Sequence, residues 1–385
     1  MNDDIIRNHW INPATPEKKK RKAKNPTTRL GRHLQGEKGI GRFAILKLGK
    51  TVKIYTTRRG ERDRHRISYD FSPFGEDFDS VPKDDEDVHS MFLDELTVNL
   101  STIEAPSVRG KTITVGKRKL PKSANGTKIV ISNLTGSWTE RKVNAALKDL
   151  SKLQSIFSEK KNKISKDDFY VAFHKDKEAV AFADQYLEEF HNLLDEQSVL
   201  RVRNGKYSEK KKTFTFILND KPIVLKLADS RITGLRVYRQ HFKDQLGLAE
   251  RTTECGDFSF DFYVFDFSSK APGKYKLDRN DKDILKDHRI YLYRDGIRVY
   301  PYGEPDDDWL RIDQYRGTIA AGDFLSNDQV VGVVGISHKE NPLLQDKTNR
   351  EGLIEKGNAS DDFVALLQCL LGYLRHTPIS TTGKA

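Results

Sequence analysis

The stretch Gly36-Glu37-Lys38-Gly39-Ile40-Gly41-Arg42 strips the backbone of side chains at three closely spaced positions, and it narrows the folding choices of this chain more than any other segment. Glycine lets a backbone approach a ligand closely or adopt positive φ. Upstream, Lys18 to His33 is polar, basic and without periodicity, as a loop would be. Downstream, Phe43-Ala44-Ile45-Leu46-Lys47-Leu48 predicts a short helix, with Gly49 placed to end it. A helix starting just after Gly39 would aim its free N–H groups and the positive end of its dipole outward, a ready anion site. Lys38 and Arg42 would add charge-assisted contacts to phosphate oxygens. The stretch lacks the Gly-Lys-Ser/Thr ending of a Walker A loop, and no strand precedes it as in a dinucleotide fingerprint. From residue types alone, a plain loop-to-helix connection is the simpler reading.

Further along, Val52, Ile54 and Thr56 alternate with Lys53 and Tyr55, predicting a strand over Thr51 to Thr57 with His65 to Phe71 as its partner. Asp77 to His89 is acidic and reads as a loop. Asn125-Gly126-Thr127 is a turn signal leading into Lys128 to Ser132, expected as a buried strand. Val143, Ala146, Leu147, Leu150, Leu153 and Phe157 recur at helical spacing, predicting an amphipathic helix that ends near Lys160. The lysine-rich stretch to Lys166 marks a boundary, after which Val180 to Leu194 predicts a second helix. Thr213 to Leu218 and Pro222 to Leu227 predict strands, as do Phe258, Phe260, Phe262, Val264 and less regularly Phe265, and Gln329 to Ile336. Asp295-Gly296, between Ile290 to Arg294 and Ile297 to Tyr300, predicts a tight hairpin with both turn residues at positive φ. Phe363, Leu366, Leu367, Leu370, Leu371 and Leu374 form a closing helix. Strands come in groups without regular βαβ alternation, so the expected class is α+β.

Composition serves mainly to exclude. A chain of 385 residues has room for roughly two or three domains. No apolar run approaches the ~20 residues of a membrane helix, so no membrane partner is expected. Met1 to Trp10 lacks the apolar core of a signal peptide, and Cys255 and Cys369 are the only cysteines, which rules out a disulfide framework or cysteine-rich zinc site. The expected location is cytoplasmic. A net charge of +11 favours an anionic partner: nucleotide, nucleic acid or an acidic protein surface. The lysine runs at Lys18 to Lys24, Lys117 to Lys122, Lys160 to Lys166 and Lys210 to Lys212 each read singly as solvated loops. His33, His65, His89, His191 and His338 lack metal-ligand spacing, and Ser337-His338 lacks the context of a hydrolase nucleophile. Asp84 to Asp87 and Asp306 to Asp308 read as exposed acidic loops rather than cation sites.

The run Gly36 to Ala44 resembles the second glycine box of the GHKL superfamily of ATPases (gyrase, Hsp90, histidine kinase, MutL), especially its Hsp90-like and MORC-like branches. The resemblance implies that Gly36, Lys38, Gly39, Ile40, Gly41, Arg42 and Phe43 end an ATP lid and begin the helix that holds the triphosphate, with Arg29 to Gln35 as lid. Gly126-Thr127 is similar to the family's later Gly-Thr pair, which implies Thr127 on a central strand at the adenine end. Gln345-Asp346-Lys347-Thr348-Asn349-Arg350-Glu351-Gly352 resembles the loop of the S5-like transducer domain, where a lysine reaches the γ-phosphate. That implies Lys347 in the catalytic, nucleotide-sensing role, with Gln345 and Asn349 as companions. From residue types alone the same loop reads as a surface loop with Arg350 and Glu351 paired in solvent. The implied architecture is a partial Bergerat-type α/β sandwich over 1–160, an insert or linker over 161–245, an S5-like transducer over 246–376 and a disordered tail over 377–385. ATP and Mg2+ are the implied cofactors.

The chain also departs from that family. A GHKL ATPase begins with a helix carrying a glutamate that polarises the attacking water and an asparagine that binds magnesium, followed by an Asp-x-Gly-x-Gly box for adenine. Neither stands before Gly36, and Met1 to Trp10 resembles the segment that follows the aspartate box. The expectation is an N-terminally truncated relative with no metal ligand and little hydrolysis, since general-base catalysis commonly contributes ~10²–10⁴-fold. Its remaining sheet would be open on one side. Two functions fit: a nucleotide-dependent conformational switch that recruits Lys347, or a basic nucleic-acid-binding or assembly module that uses no nucleotide. Tyr207 and Tyr275 are candidate stacking surfaces for the second, although packing is the simpler role for both. GHKL relatives often dimerise through ATP, which implies a homodimer.

Overall fold

The computed structural model describes residues 1–10, 20, 24, 27, 44–45, 47–72, 97–115, 118–152, 172–179, 188–243, 252–318, 325–345, 347, 352–354 and 357–377. The molecule is α+β and forms two compact units, Met1–Ala145 with Lys166–Val180, and Ala146–Ser165 with Ala181–Ala385. Among the described residues no helix is long and apolar enough to cross a membrane.

The strands of the first unit are β1 (Gly49–Thr57), β2 (Asp63–Asp70), β3 (Val98–Glu104), the hairpin of β4 (Thr112–Val115) and β5 (Arg118–Pro121), β6 (Gly126–Leu134), and the short hairpin of β7 (His174–Lys175) and β8 (Glu178–Ala179). Four of them make an antiparallel sheet in the order β3-β2-β1-β6. Because side chains alternate along a strand, the register sets Val52 opposite Tyr69 and Ile131, and Ile54 opposite Ile67 and Ile129, on one face. Ile6, Met1, Trp10, Ile45 and Phe71 pack with this face. The Asn2 side chain caps the turn that carries Ile6, accepting from the Ile5 N–H at 3.1 Å.

Two expectations need correction here. The segment before β1 is 3₁₀-helical where it is described, at Ala44, Ile45 and Lys47, and Gly49 is the first residue of β1 rather than a helix cap. Its bareness serves close packing, since a Cβ there would lie 2.7 Å from Ile131 Cγ2 and 2.8 Å from the Ser132 carbonyl oxygen. Nor is β6 buried: it stands at the end of the sheet order, and Ile129 and Leu134 each remain 47% exposed. The acidic loop at Asp77 to His89, the lid, and the tail over 378–385 lie outside the described residues.

The second unit holds β9 (Leu200–Ser208), β10 (Thr213–Leu218), β11 (Lys221–Lys226), β12 (Phe258–Val264), β13 (Ile290–Arg294), β14 (Ile297–Arg298) and β15 (Val330–Ile336), in the order β11-β10-β9-β12-β15-β13-β14. Only the β13–β15 pair is parallel among them. Phe258, Phe260, Phe262 and Val264 of β12 join one core with Phe363, Leu366, Leu367 and Leu370 of the helix Asn358–Arg375. Tyr263 and Phe265 join a separate core with Phe190, Leu285, Tyr291, Tyr293 and Val331. Both faces of this sheet are therefore covered, which is why β13 and β15 read as continuous apolar runs rather than alternating ones. The helix Asn358–Arg375 is buried nearly all round, touching the helices Ser230–Thr233 and Arg236–Phe242 as well as sharing the core of the sheet.

The Asp295-Gly296 turn has φ of 49° and 78°, as the hairpin required. The middle of the chain differs from the sequence-based partition. β9, β10 and β11 are not a separate insert within 161–245, because they hydrogen-bond into one sheet with β12. The helix Glu140–Ser151 belongs to the first unit up to Ala145 and to the second from Ala146. Leu153 and Phe157 lie outside the described residues, as does the lysine-rich stretch that was to mark the boundary. Of the helix expected over Val180 to Leu194, Glu188 onward is described, and it ends in a π-helical turn at Leu193–Gln197.

Candidate functional site

In the first unit, Thr127 sits on β6 opposite Thr56 of β1, their hydroxyl oxygens 3.1 Å apart. The Met1 amino group donates to the Thr56 hydroxyl at 2.9 Å, and partial burial lowers its pKa. Thr127 itself is exposed and sits at the open end of the sheet order, on an edge rather than a central strand. Gly36, Lys38, Gly39, Ile40, Gly41, Arg42 and Phe43 lie outside the described residues.

In the second unit, β15 leads into a loop built on a fixed base. Asn341 is fully buried: its amide donates to the carbonyls of Cys255 at 2.8 Å and Asp257 at 2.9 Å, and its side-chain oxygen accepts from the Ser337 N–H at 2.9 Å. Buried polar groups are held by such full pairing. Arg294 of β13 donates to the Leu344 carbonyl at 2.8 Å. The two legs of the loop then close on each other, Lys347 N–H to Gly352 carbonyl at 2.9 Å and Ile354 N–H to Gln345 carbonyl at 2.7 Å. The Leu353 N–H donates to the Tyr302 hydroxyl at 2.8 Å, and Ser360 Oγ donates to the Ile354 carbonyl at 3.0 Å. Gly352 has φ of 103°, and a Cβ there would stand 3.1 Å from the Tyr302 hydroxyl, so only glycine fits this corner without strain.

Lys347 is exposed at the end of this frame, and its ammonium has no hydrogen-bond or ion-pair partner among the described residues. Gln345 is exposed beside it, and Asn349 lies outside the described residues. A cavity of about 530 Å³ adjoins the loop, lined by Tyr302, Trp309, Arg311, Lys347, Phe363 and Gln368 among others. Asp307 and Asp308 also face it, and their roles are structural. Asp308 accepts the N–H groups of Ile312 at 2.7 Å and Asp313 at 2.9 Å, capping the helix Ile312–Thr318, while Asp307 accepts from the Gly303 N–H at 3.2 Å. Both are half-buried, which raises the pKa of each carboxyl, whereas Asp306 is exposed as the sequence suggested. Among the described residues no cluster of histidine, cysteine and acidic side chains could hold a metal.

Other candidate residues are also accounted for. His338 pairs with Asp295, and Ser337 Oγ accepts the Glu340 N–H at 3.0 Å, so this pair locks the hairpin turn to the start of the loop. Tyr207 is buried, its hydroxyl 3.0 Å from the Thr253 hydroxyl, and offers no face for base stacking, while Tyr275 is half-buried against the core. Sequence reasoning missed Asn341, Arg294 and Tyr302, the residues that hold the loop. Each looks like an ordinary polar or aromatic residue locally, and its importance comes only from distant partners. No protein-family model matches this chain, and no curated protein matches it in sequence.

Proposed function

We propose that this chain is an ATP-binding conformational switch of the GHKL type, with Lys347 as the group that senses the terminal phosphate. The observation that carries this reading is the Lys347 loop, a braced frame that presents an unpaired ammonium. The bracing fixes the backbone that carries the lysine, so only its side chain has to be ordered when it meets an anion. In this reading Gly36, Lys38, Gly39, Ile40, Gly41, Arg42 and Phe43 form the phosphate cradle, with backbone N–H groups donating to phosphate oxygens and Lys38 and Arg42 adding charge. Thr127 would stand at the adenine end, its exposed side chain offering a hydroxyl that pairs with the Thr56 hydroxyl at 3.1 Å. Gln345 and Asn349 flank the sensor. In this reading magnesium would be carried by the phosphate oxygens of the nucleotide. Loss of the terminal phosphate would remove the partner of Lys347 and release the second unit.

The test is a fluorescence titration with a labelled ATP analogue and magnesium. Saturable binding is expected, weakened about tenfold to a hundredfold by Lys38→Ala, as removal of one charge-assisted hydrogen bond implies. Lys347→Ala should reduce the preference for triphosphate over diphosphate and leave diphosphate affinity near the parent value. Absence of saturable binding sinks the proposal. Binding of an oligonucleotide instead, weakening steeply with salt, would move the assignment to a basic nucleic-acid-binding module.

A further inference from the structure

The contacts that brace the Lys347 loop continue into the molecule. Tyr302, whose hydroxyl accepts the Leu353 N–H at 2.8 Å, offers its carbonyl to Arg298, which donates from Nε at 3.2 Å and from Nη2 at 3.0 Å. The same Arg298 Nη2 donates to Glu304 Oε1 at 2.6 Å. Glu304 Oε1 in turn lies 3.7 Å from Lys152 Nζ. Lys152 directly follows the helix Glu140–Ser151, and the Tyr293 hydroxyl donates to its carbonyl at 2.9 Å. One turn earlier on that helix Lys148 pairs with Asp287.

The Lys152 ammonium is an unusual component. Its side chain is 3% exposed, and Glu304 is its single ionic partner among the described residues. Burial lowers its pKa, Arg298 and Lys148 add to that, and Glu304 opposes it. Arg298 is nearly as buried, at 6%, and leans on the same carboxylate with its guanidinium 4.7 Å from the Tyr291 ring centroid. Two buried cations therefore share one carboxylate, and displacing any member leaves a buried charge poorly compensated. An apolar filler would serve stability as well or better, so this arrangement is suited to fixing position. Tyr302 and Glu304 stand only two residues apart, on a segment held further by the Glu304 N–H to Pro301 carbonyl bond at 3.0 Å.

We propose that Tyr302 and Glu304 are positioning residues which couple the Lys347 loop to the end of the helix Glu140–Ser151 through Arg298 and Lys152. That helix contains the point, Ala145 to Ala146, at which the chain leaves the first unit for the second. A shift of the loop would thereby be felt where the units are covalently joined. What moves the loop rests on the nucleotide reading above; the coupling itself does not.

The test is hydrogen exchange of the Leu353 amide in the nucleotide-free chain, with amides of the helix Asn358–Arg375 as internal reference. Tyr302→Phe removes the acceptor and keeps the ring, and should speed exchange at Leu353 about three- to tenfold, the range of one net hydrogen bond. Glu304→Gln and Lys152→Met should also speed it, while the reference helix keeps its parent rates. The double variant Tyr302→Phe with Lys152→Met should be no faster than Tyr302→Phe alone, as members of one chain of contacts are not additive. Lys152→Arg, which keeps the charge, should leave Leu353 near the parent rate. Parent exchange at Leu353 in Glu304→Gln and Lys152→Met overturns the coupling. Uniform acceleration through the reference helix overturns it too, since that is a loss of stability rather than of position. If Lys152→Met does not fold, Glu304→Gln decides. A wild-type chain that binds no ATP analogue would sink the nucleotide reading and leave these exchange results standing.

Discussion

β6 of the first unit and β15 of the second both centre on β-branched residues, Ile129 to Ile131 and Val330 to Ile336, yet their surroundings differ sharply. Ile129 on β6 is 47% exposed, whereas Val330, Val331 and Val334 on β15 are 0% exposed. β15 has neighbours on both sides and core residues above and below, while β6 ends its sheet and is partnered only by β1 among the described residues. The comparison teaches that strand propensity reports an extended backbone and leaves burial open. It also predicts an uneven stability, with the second unit holding most of the apolar burial and the first exposing an edge of the kind that natural sheets usually protect.

The largest expected effect lies in the central helix of the second unit. Leu370→Ala, at a fully buried site, should destabilise that unit by about 2–5 kcal/mol in denaturant unfolding. Should it cost no more than an edge substitution in the first unit, the contrast between the units collapses.

Acid titration should come next. His288 is 1% exposed, its Nδ1 lies 2.7 Å from the Tyr291 hydroxyl, and its pKa is held well below 6.5, first by burial and then by Lys152. A histidine with a depressed folded pKa supports the folded state above 6.5, and that support is lost as pH falls. The midpoint of unfolding of the second unit should therefore drop below pH 6.5, and His288→Asn should flatten that slope.

Asp261 has the opposite sign and a smaller reach. It sits at the β9–β12 irregularity, with its carboxyl pushed up to about 6 by burial even though the backbone N–H groups of Asn204 and Gly205 donate to it. A carboxyl raised in the folded state supports folding while protonated, fully below 3.8, and that support is lost as pH rises through about 6. Asp261→Asn should accordingly be more stable than the parent at pH 7 and equal to it in acid, read from thermal midpoints across the range. A parent that gains stability relative to the variant as pH rises would contradict the burial argument. The smallest effect is expected at the exposed edge, where Ile129→Ala should change stability by no more than about 0.5–1 kcal/mol. A larger loss would show that something covers β6 in solution.

Much of the fold was legible residue by residue. The strand Thr213–Leu218 has the expected bounds, and Phe258–Val264 carries the expected alternating phenylalanines, ending just before Phe265. The Asp295-Gly296 turn followed from the positive φ those residues tolerate. The candidate site was legible only where a motif is local. Lys347 could be singled out from the run around it, but Tyr302, Arg294 and Asn341 could not, because the bonds they make to the loop or its base span 51, 50 and 86 residues. The role of Gly49 was hidden for a related reason: a glycine after a short helical segment can cap it or open a closely packed strand, and the contact with Ile131 lies far along the chain.

By itself the sequence determined elements such as the strand Thr213–Leu218, the closing helix Asn358–Arg375 and the Asp295-Gly296 turn, since periodicity and positive φ are properties of a few consecutive residues. The order of strands in each sheet was decided by tertiary structure, and so were the joining of β9, β10 and β11 to β12, the exposure of β6 and the burial of Lys152 against Glu304. Those outcomes depend on which distant surfaces meet, and the free energy of burial belongs to the pair of surfaces rather than to either stretch of chain.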